Sequence, residues 1–286
     1  MNTMIFTTKY TKYTKGKRRS GFRVVRVFRG LSICLLGTLS VFAAPPEGKE
    51  WEPFWPMTDE FEGEILNHKK WFDHNPTWSG RPPTLFHPDC IAVSNGMLHI
   101  AAFDSEASAK RNPPAGFTHV SGFVRSKRRA RFGYFEMRAK LMNSSQVSCF
   151  WLTNAGRDEW SEIDIVEVPA GLEKYSSILQ PNVHYFRGPH YNGTVDDHIT
   201  DQGYHDLGFN MAEDFHVYGM EWSPTFIRWY VDGKLIREKH NDNYFQPLEM
   251  NLNVEANQWF GALPDDATLP ATYQIDYVRA WRLKEY

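Results

Sequence analysis

The stretch Trp160-Ser161-Glu162-Ile163-Asp164-Ile165-Val166-Glu167-Val168 alternates polar and apolar residues through its first half. A period of two is typical of a β-strand with one face in the core and one face turned outward. Glu162 and Asp164 then share the outward face, and the isoleucines pack into the core. In a regular strand Glu167 would point inward, so we predict a β-bulge near Ile165–Val166 that returns it to the face of Glu162.

Two glutamates on one sheet face, with an aspartate between them, are the groups that a retaining glycosidase needs. We expect the Cα atoms of Glu162 and Glu167 to lie about 13 Å apart and their carboxyl groups about 5–6 Å apart. On this hypothesis Glu162 attacks the anomeric carbon and Glu167 protonates the leaving oxygen and later activates water. Asp164 would raise the pKa of its neighbours. Alternation alone fits equally well an amphipathic strand with a solvated acidic face.

The chain from residue 44 onward consists of short period-two segments separated by Gly, Pro and Asn, with no sustained helical period. About a dozen strands in one block predict a single all-β domain, a sandwich or jelly roll. Asp232-Gly233 is a strong hairpin signal, whereas Asp73–Pro88 is predicted to be a functional loop. The predicted strands are Met97–Phe103, Gly122–Ser126, Gly133–Leu141, Gln146–Leu152, Ser161–Val168, Asn182–Phe186, His216–Trp222, Ile227–Val231, Leu235–Glu238, Glu249–Glu255 and Gln274–Arg282.

The N-terminal 43 residues have the features of a secretory signal peptide. Residues 1–30 carry nine Lys or Arg and no acidic residue, the apolar run Leu31–Phe42 follows, and Ala43-Ala44 comes next. The run is too short to span a bilayer as a mature helix, although an uncleaved membrane anchor is the alternative. We predict a protein secreted to the periplasm or the medium, with a catalytic domain over residues 44–286.

The net charge excludes two classes of partner. Without residues 1–43 the chain keeps 23 basic and 34 acidic residues, a net charge near -11. Nucleic acids and anionic membranes both require a basic face, so neither is expected, and we predict a monomer without a cofactor for catalysis.

Cys90 and Cys149 can pair in an exported protein, but a buried thiol is an equal alternative for Cys149.

Aromatic residues make up 15% of the chain and several flank the acidic strand. Aromatic rings stack on the apolar faces of sugars, which favours a polysaccharide groove. Trp151 is the candidate that we place in such a groove. Trp222, Trp229 and Trp281 lie in apolar strand patterns and are predicted to belong to the core.

The acidic motif Glu162-Ile163-Asp164-Ile165-Val166-Glu167 resembles the bulged E-x-D-x-x-E signature of glycoside hydrolase family 16. The resemblance implies a β-jelly-roll sandwich of two antiparallel sheets with a concave substrate cleft, and hydrolysis with retention. It also implies that Glu162 is the nucleophile, Asp164 its helper and Glu167 the acid/base. Other segments resemble further strands of the family: Asp59–Phe61, Gly133–Arg138, Phe215–Trp222, Tyr230–Gly233 and Ile275–Arg279.

The loop Asn75–Pro83 resembles the substrate loop of the red-algal galactanases of this family, the β-agarases, β-porphyranases and κ-carrageenases. The resemblance implies that Trp78 and Arg81 contact the sugar in the negative subsites. It places His184 beside the nucleophile and Glu255 at the same end of the cleft. Taken alone, His184 would more often be a structural strand histidine and Glu255 a solvated strand end.

Two further sites follow from this resemblance. A sulfated galactan needs a local cation, and Arg157 and Arg187 are the candidates, although either is equally well a solvated loop charge. A structural calcium ion is implied at Asp276, with the carbonyl of Gly96 as a second donor. Alternatively, Asp276 merely caps a strand turn.

Together these observations predict an endo-acting retaining hydrolase that cleaves β-linkages in a red-algal galactan. Agarose and porphyran are favoured, and κ-carrageenan stays open. The enzyme alternative is an endo-β-1,3-glucanase of the laminarinase type from the same family. The alternative of another class is a non-catalytic carbohydrate-binding jelly roll, for which a damaged catalytic triad is expected.

Overall fold

The structure, a computed structural model, describes residues 45–155, 159–187 and 198–285. The predicted signal peptide lies outside these residues. Most of the regular secondary structure in the described chain is β-strand, with almost no helix, which confirms the all-β prediction. Its strands and one short helix are β1 (Trp51–Pro53), β2 (Trp71–Phe72), β3 (Gly80–Arg81), β4 (Thr84–Phe86), β5 (Ile91–Ser94), β6 (Met97–Phe103), α1 (Ser105–Ala109), β7 (His119–Ser121), β8 (Phe123–Ala130), β9 (Gly133–Lys140), β10 (Val147–Ala155), β11 (Glu159–Val168), β12 (Ile178–Leu179), β13 (Asn182–Arg187), β14 (His198–Thr200), β15 (His205–Asp206), β16 (His216–Trp222), β17 (Phe226–Val231), β18 (Lys234–His240), β19 (Leu248–Glu255) and β20 (Ala271–Leu283).

The strands form two large sheets that pack face to face as a jelly-roll sandwich. The outer sheet has eleven strands in the order β18-β17-β16-β9-β20-β6-β7-β4-β3, with β1 paired to β20 and β5 to β6. The cleft sheet has seven strands in the order β14-β13-β11-β10-β19-β8-β2. All large pairings are antiparallel, and the acidic strand β11 lies inside the cleft sheet, between β13 and β10.

Alternation along the strands fills the space between the two sheets. Phe135 and Met137 of β9 enter the core from the outer sheet, and Phe150 and Ile163 enter it from the cleft sheet; all four are fully buried. On the strands of the cleft sheet, the residues that alternate with these core residues point away from the core. The opposite face of that sheet, called the cleft face below, therefore collects the polar and acidic side chains of β11.

A tryptophan of the outer sheet fixes the catalytic strand from behind. Trp229 of β17 is fully buried and its Nε1 donates a hydrogen bond of 2.9 Å to the backbone carbonyl of Asp164. A buried carbonyl without a partner is costly. The bond thus holds the backbone of β11 beside its acidic side chains, and it connects core packing to the site.

We expect Trp229→Phe to lower the free energy of unfolding by about 2–4 kcal/mol, since it removes this bond and part of the packed volume. It should also lower kcat, because the backbone at Asp164 loses its anchor. Urea unfolding and steady-state kinetics measure the two effects. Trp222→Phe is the matched control: Trp222 is also fully buried and donates 2.8 Å to the carbonyl of Tyr244. An equal loss of kcat in both variants would contradict the specific role of Trp229.

The segment Asp73–Pro88 departs from the prediction that it is a loop, because it contains the short strands β3 and β4. They form a tight hairpin with its turn at Pro82-Pro83, and Gly80, whose φ is +120°, begins β3. A Cβ there would lie 2.5 Å from the carbonyl oxygen of Thr84, so only glycine fits. This close approach fixes the positions of Trp78 and Arg81 on either side of it.

Several smaller predictions are settled by the fold. Asp232 and Gly233 both have positive φ and join β17 to β18, which confirms the hairpin. Trp222 and Trp229 are core residues, whereas Trp281 is only half-buried, on the outer surface against Tyr134. Both Cys90 and Cys149 are buried free thiols. Nowhere in the described ranges is there a helix both long and apolar enough to cross a membrane.

Candidate active site

A β-bulge places the three acidic side chains of β11 on the cleft face. In the pairing of β10 with β11, Phe150 lies opposite Val166 and Trp151 lies opposite Asp164, so Ile165 is the extra residue. This confirms the predicted bulge. Because the bulge shifts the alternation by one, Glu167 lines the same small cavity as Asp164.

Glu162 lies half-buried at one end of the acidic row. Trp160 Nε1 donates to its Oε2 over 3.2 Å, and His184 is its partner in the register of β13. Burial raises the pKa of Glu162 to about 8, and the neighbouring Asp164 carboxyl adds to the rise. His184 and the Trp160 N–H act in the opposite direction and favour the anion.

Asp164 is the most deeply placed of the three acids, with 4% of its surface exposed. Its Oδ2 lies 3.4 Å from His184 Nε2 and has no hydrogen-bond partner among the described residues. Burial and then the charge of Glu255 raise the pKa of Asp164 to about 8. The group therefore favours the protonated state near neutral pH, in which it can donate a hydrogen bond to a neighbouring carboxylate.

Glu167 is held from the far side of the cleft by a residue that the sequence interpretation did not select. Asn257 Nδ2 donates to Glu167 Oε1 over 3.2 Å. Burial raises the pKa of Glu167 well above its usual range, and the charges of Asp164, Glu255 and Glu162 raise it further. A carboxyl group in this environment keeps its proton and can act as a general acid.

Glu255 brings a fourth carboxyl group into the cluster. It ends β19, lies with Glu167 in one cavity, and is 4% exposed. Its Oε1 lies 3.5 Å from Arg81 Nη2, which partly offsets the burial that raises the pKa of Glu255 to about 7. Four acids near one another titrate as a group, so the cluster retains protons at neutral pH.

The structure brings Trp78, Arg81 and Glu255 together, as the sequence predicted. The Arg81 guanidinium lies 5.6 Å from the Trp78 ring centroid and 5.0 Å from that of Trp259. Trp259, which the sequence interpretation missed, is 81% exposed. An exposed indole at the edge of an acidic depression offers a stacking surface for a sugar ring.

Trp151 is half-buried on the cleft face, next to Asp164 in the register of β10 and β11. Its Nε1 donates to Asn253 Oδ1 over 2.7 Å, and Phe123 contacts its ring edge-on at 6.3 Å. These two contacts hold the indole in place, and Trp151 lines the same small cavity as Asp164 and Glu167. Asn253 was not selected from the sequence; its buried Nδ2 has no partner within the described part of the chain.

Arg125 is a further residue of the cleft face that the sequence interpretation missed. It is 6% exposed and pairs with Glu249, with Nη2 to Oε2 at 2.8 Å. Its Nη1 donates to Asn75 and Thr77 of the predicted substrate loop, over 3.3 and 3.5 Å. The signal for it was present in the alternation of β8, which puts Arg125 on the same face as Phe123.

Of the two arginines proposed to meet sulfate, Arg157 lies outside the described residues. Arg187 ends β13 as an exposed side chain, opposite Glu159 in the register, with its guanidinium 5.6 Å from the Tyr185 ring. Neither candidate is tested by these contacts, and both stay predictions.

The predicted calcium site receives no support from the contacts of Asp276. Its Oδ2 accepts a hydrogen bond of 2.7 Å from Arg138 Nη1, so a guanidinium already provides its countercharge. Gly96 faces the carboxylate of Glu62. No group of three or more His, Cys, Asp or Glu side chains surrounds Asp276 in the ranges that the structure describes. Calcium binding stays a prediction, and no step of the mechanism depends on it.

The jelly roll and its bulged acidic strand define a glycoside hydrolase. Proteins of similar sequence and structure are named as enzymes of this class. The solved structure of porphyranase B from Zobellia galactanivorans matches with a TM-score of 0.70 and 27% identity, over 84% of this chain and 96% of that one. Beta-porphyranase B of the same organism is 31% identical over 82% of this chain and 86% of that protein. Beta-agarase AgaA of Microbulbifer thermotolerans is 30% identical over 88% of this chain and 66% of that protein.

The family model for the GH16 domain of beta-porphyranases A–D matches residues 51–283. This chain belongs to that family. The match confirms the resemblance to glycoside hydrolase family 16 and to its red-algal branch.

Proposed function

We propose that this protein is a secreted, endo-acting, retaining hydrolase of a red-algal galactan, with porphyran as the first candidate and agarose as the second. The observation that carries the proposal is the bulge at Ile165, which puts Glu162, Asp164 and Glu167 on one face of the cleft sheet. Porphyran comes first because relatives at about 30% identity are named porphyranases. Secretion rests on the composition of residues 1–43.

The proposed reaction is a double displacement. A Glu162 oxygen bonds to the anomeric carbon while the glycosidic C–O bond breaks, and the Glu167 proton passes to the leaving oxygen. Water then attacks the glycosyl-enzyme ester, gives a proton to Glu167 and releases Glu162. Two inversions at one carbon restore the original configuration.

Asp164 is proposed to hold a proton between the two glutamates. Its protonated carboxyl can donate to the Glu162 anion, which stabilises the nucleophile when it leaves the glycosyl ester. A charged Asp164 would instead repel the anion of Glu162, since both are removed from water. Burial raises the pKa of both Asp164 and Glu162 to about 8, and the deeper burial of Asp164 favours a proton on Asp164.

The two sides of β11 are proposed to hold the two parts of the polysaccharide. Trp78 and Arg81 form the aromatic and cationic side, which takes the negative subsites, and Trp259 borders both this side and the other one. On the other side, a depression of about 410 Å³ reaches from Glu167 to His198. It is lined by amide and aromatic side chains, which suit a sugar ring in the leaving-group position.

Sulfate recognition is proposed to use an arginine of the cleft, since a guanidinium binds two oxygens of a planar or tetrahedral oxyanion. Arg157 and Arg187 are the candidates from the sequence. Arg125 is added by the structure because it faces the substrate loop. Its pairing with Glu249 neutralises much of its charge, so binding sulfate would require Glu249 to move or to share the guanidinium.

Product release from porphyran, agarose, κ-carrageenan and laminarin tests the function directly. We expect oligosaccharides from porphyran or agarose, with the β-configuration of the new reducing end seen by NMR before mutarotation. Release from laminarin alone would establish the glucanase alternative and overturn the proposed substrate. Inverted product would contradict the mechanism whichever substrate is cleaved.

Asp164→Asn is expected to move the alkaline limb of the pH profile of kcat/KM to lower pH. The acid limb reports the ionisation of Glu162 and the alkaline limb reports the loss of the Glu167 proton. Above about pH 8 Asp164 loses its proton, and its charge is then the neighbouring charge that most raises the pKa of Glu167, so its replacement by a neutral amide lowers the pH of the alkaline limb.

Glu255→Gln provides the comparison. The charge of Glu255 is the second largest of the charges that raise the pKa of Glu167, whereas it is the smallest of the named causes for Glu162. We therefore expect the alkaline limb of the Glu255→Gln profile to move more than its acid limb. A profile that stays in place in Asp164→Asn would contradict the electrostatic role of Asp164.

A further inference from the structure

The side chain of Asn182 contacts His184 on the cleft face of β13. Asn182 Nδ2 lies 2.9 Å from His184 Nε2, and Asn182 is 5% exposed. An amide group can face a ring nitrogen with either its oxygen or its nitrogen, and the two choices have opposite consequences for the ring proton. The surroundings of the amide oxygen therefore decide the tautomer of His184.

Two donors fix the orientation of the amide. The backbone N–H of Val183 donates to Asn182 Oδ1 over 2.9 Å, and the hydroxyl of Thr200 donates to the same oxygen over 3.1 Å. A backbone N–H can only donate, so the atom it faces has to be the oxygen. The NH₂ group then points at His184, where it can only donate, and His184 Nε2 has to accept.

An accepting Nε2 carries a lone pair, so the proton of the neutral ring lies on Nδ1. That nitrogen is 2.8 Å from His198 Nε2, and the two rings lie within 15° of parallel. His184 can therefore donate from Nδ1 to His198, which completes a chain from the Asn182 amide to β14. Both nitrogens of His184 are satisfied in this one tautomer.

The neutral tautomer is unexpected from charge alone. The titratable groups that face His184 are Glu162, Asp164 and Glu167 of β11 and His198 of β14. A carboxylate attracts an N–H donor, so charge alone would place a ring proton on Nε2, which lies 3.4 Å from Asp164 Oδ2. A proton there would form an ion pair with the acids and would compete for the anion of Glu162.

We propose that Asn182 is a positioning residue that sets the tautomer of His184: its amide occupies the Nε2 lone pair, so that no ring N–H faces the catalytic carboxyl groups. Asp164 then keeps its own proton, because no N–H of the ring is directed at its carboxyl group. The nucleophile Glu162 stays free of an ion pair with the imidazole. The assignment of the tautomer rests on hydrogen-bond geometry, and its catalytic effect rests on the proposed function.

The test is the protonation of His184 in the full-length mature protein, read from its ¹⁵N resonances and their couplings to the ring protons. In the wild type we expect a protonated Nδ1 and an unprotonated Nε2 at the pH of maximal activity. Asn182→Asp keeps acceptors for Val183 and Thr200 but presents an oxygen to the ring. In this variant we expect a proton on Nε2.

Thr200→Val is the matched control, since it removes one bond to the amide oxygen and leaves the N–H of Val183 to orient the amide. It should keep the wild-type tautomer. A proton on Nε2 of the wild type, or the same tautomer in Asn182→Asp, would overturn the proposal. A change in Thr200→Val as large as that in Asn182→Asp would assign the effect to β14 and would overturn it too.

The kinetic readout separates positioning from binding. In Asn182→Asp we expect kcat to fall about tenfold or more with KM little changed, because the ground-state contacts of the sugar are kept. A rise in KM with unchanged kcat would contradict the positioning role. The tautomer is measured without substrate, so its failure is distinguishable from a failure of the proposed galactanase function.

Discussion

Replacing Glu162 with Gln is expected to lower kcat/KM on the galactan substrate by about 10⁴-fold or more, with polysaccharide binding retained. Gln has nearly the size of Glu and can still accept the N–H of Trp160, which lies 3.2 Å from the present carboxylate. It cannot form the glycosyl ester. The variant therefore removes the nucleophile and leaves the cleft in place.

Reducing-end release and affinity electrophoresis in the same polysaccharide measure the two effects separately. Glu249→Gln is a suitable control, because it removes a carboxyl group from the cleft face at a position that pairs with Arg125 and Arg129 instead of the acidic row. It should keep turnover at a measurable level. Unchanged turnover in Glu162→Gln would exclude the proposed nucleophile, and lost binding would mean that Glu162 holds the substrate instead.

The long strands could be predicted from the sequence because their alternation extends over enough residues. The bounds of β6 and β16 agree with the prediction at both ends. The two- and three-residue strands β12, β14 and β15 were not predicted, since a period of two needs at least four residues to be recognised. They form only because neighbouring strands supply their partners.

The acidic row could be predicted because its chemistry lies in one segment. The spacing from Glu162 to Glu167 is odd, so two groups that need the same face required a bulge, and the structure has it at Ile165. Asn257 and Trp259 were missed for the opposite reason. They follow β19 and reach Glu167 and Arg81 only through the tertiary fold, and no local pattern distinguishes them from surface residues.

Glu167→Ala is expected to lower kcat/KM on the polysaccharide by about 10³-fold or more, because the leaving sugar oxygen then has no proton donor. Aryl glycosides with an acidic phenol need no such donor, so their first step should be little affected. The glycosyl-enzyme should accumulate, since water lacks its general base. A burst of phenol followed by slow turnover would show this directly.

Azide distinguishes the two glutamates because it attacks without a general base. In Glu167→Ala it should restore turnover and give a glycosyl azide of the β-configuration, as it attacks the ester of Glu162 from the β-face. In a nucleophile variant of Glu162 the azide would attack the substrate itself and give the α-product. An α-azide from Glu167→Ala would therefore reverse the two assignments. Glu255→Gln, which removes an adjacent carboxyl group of the same cavity, should show no acceleration by azide.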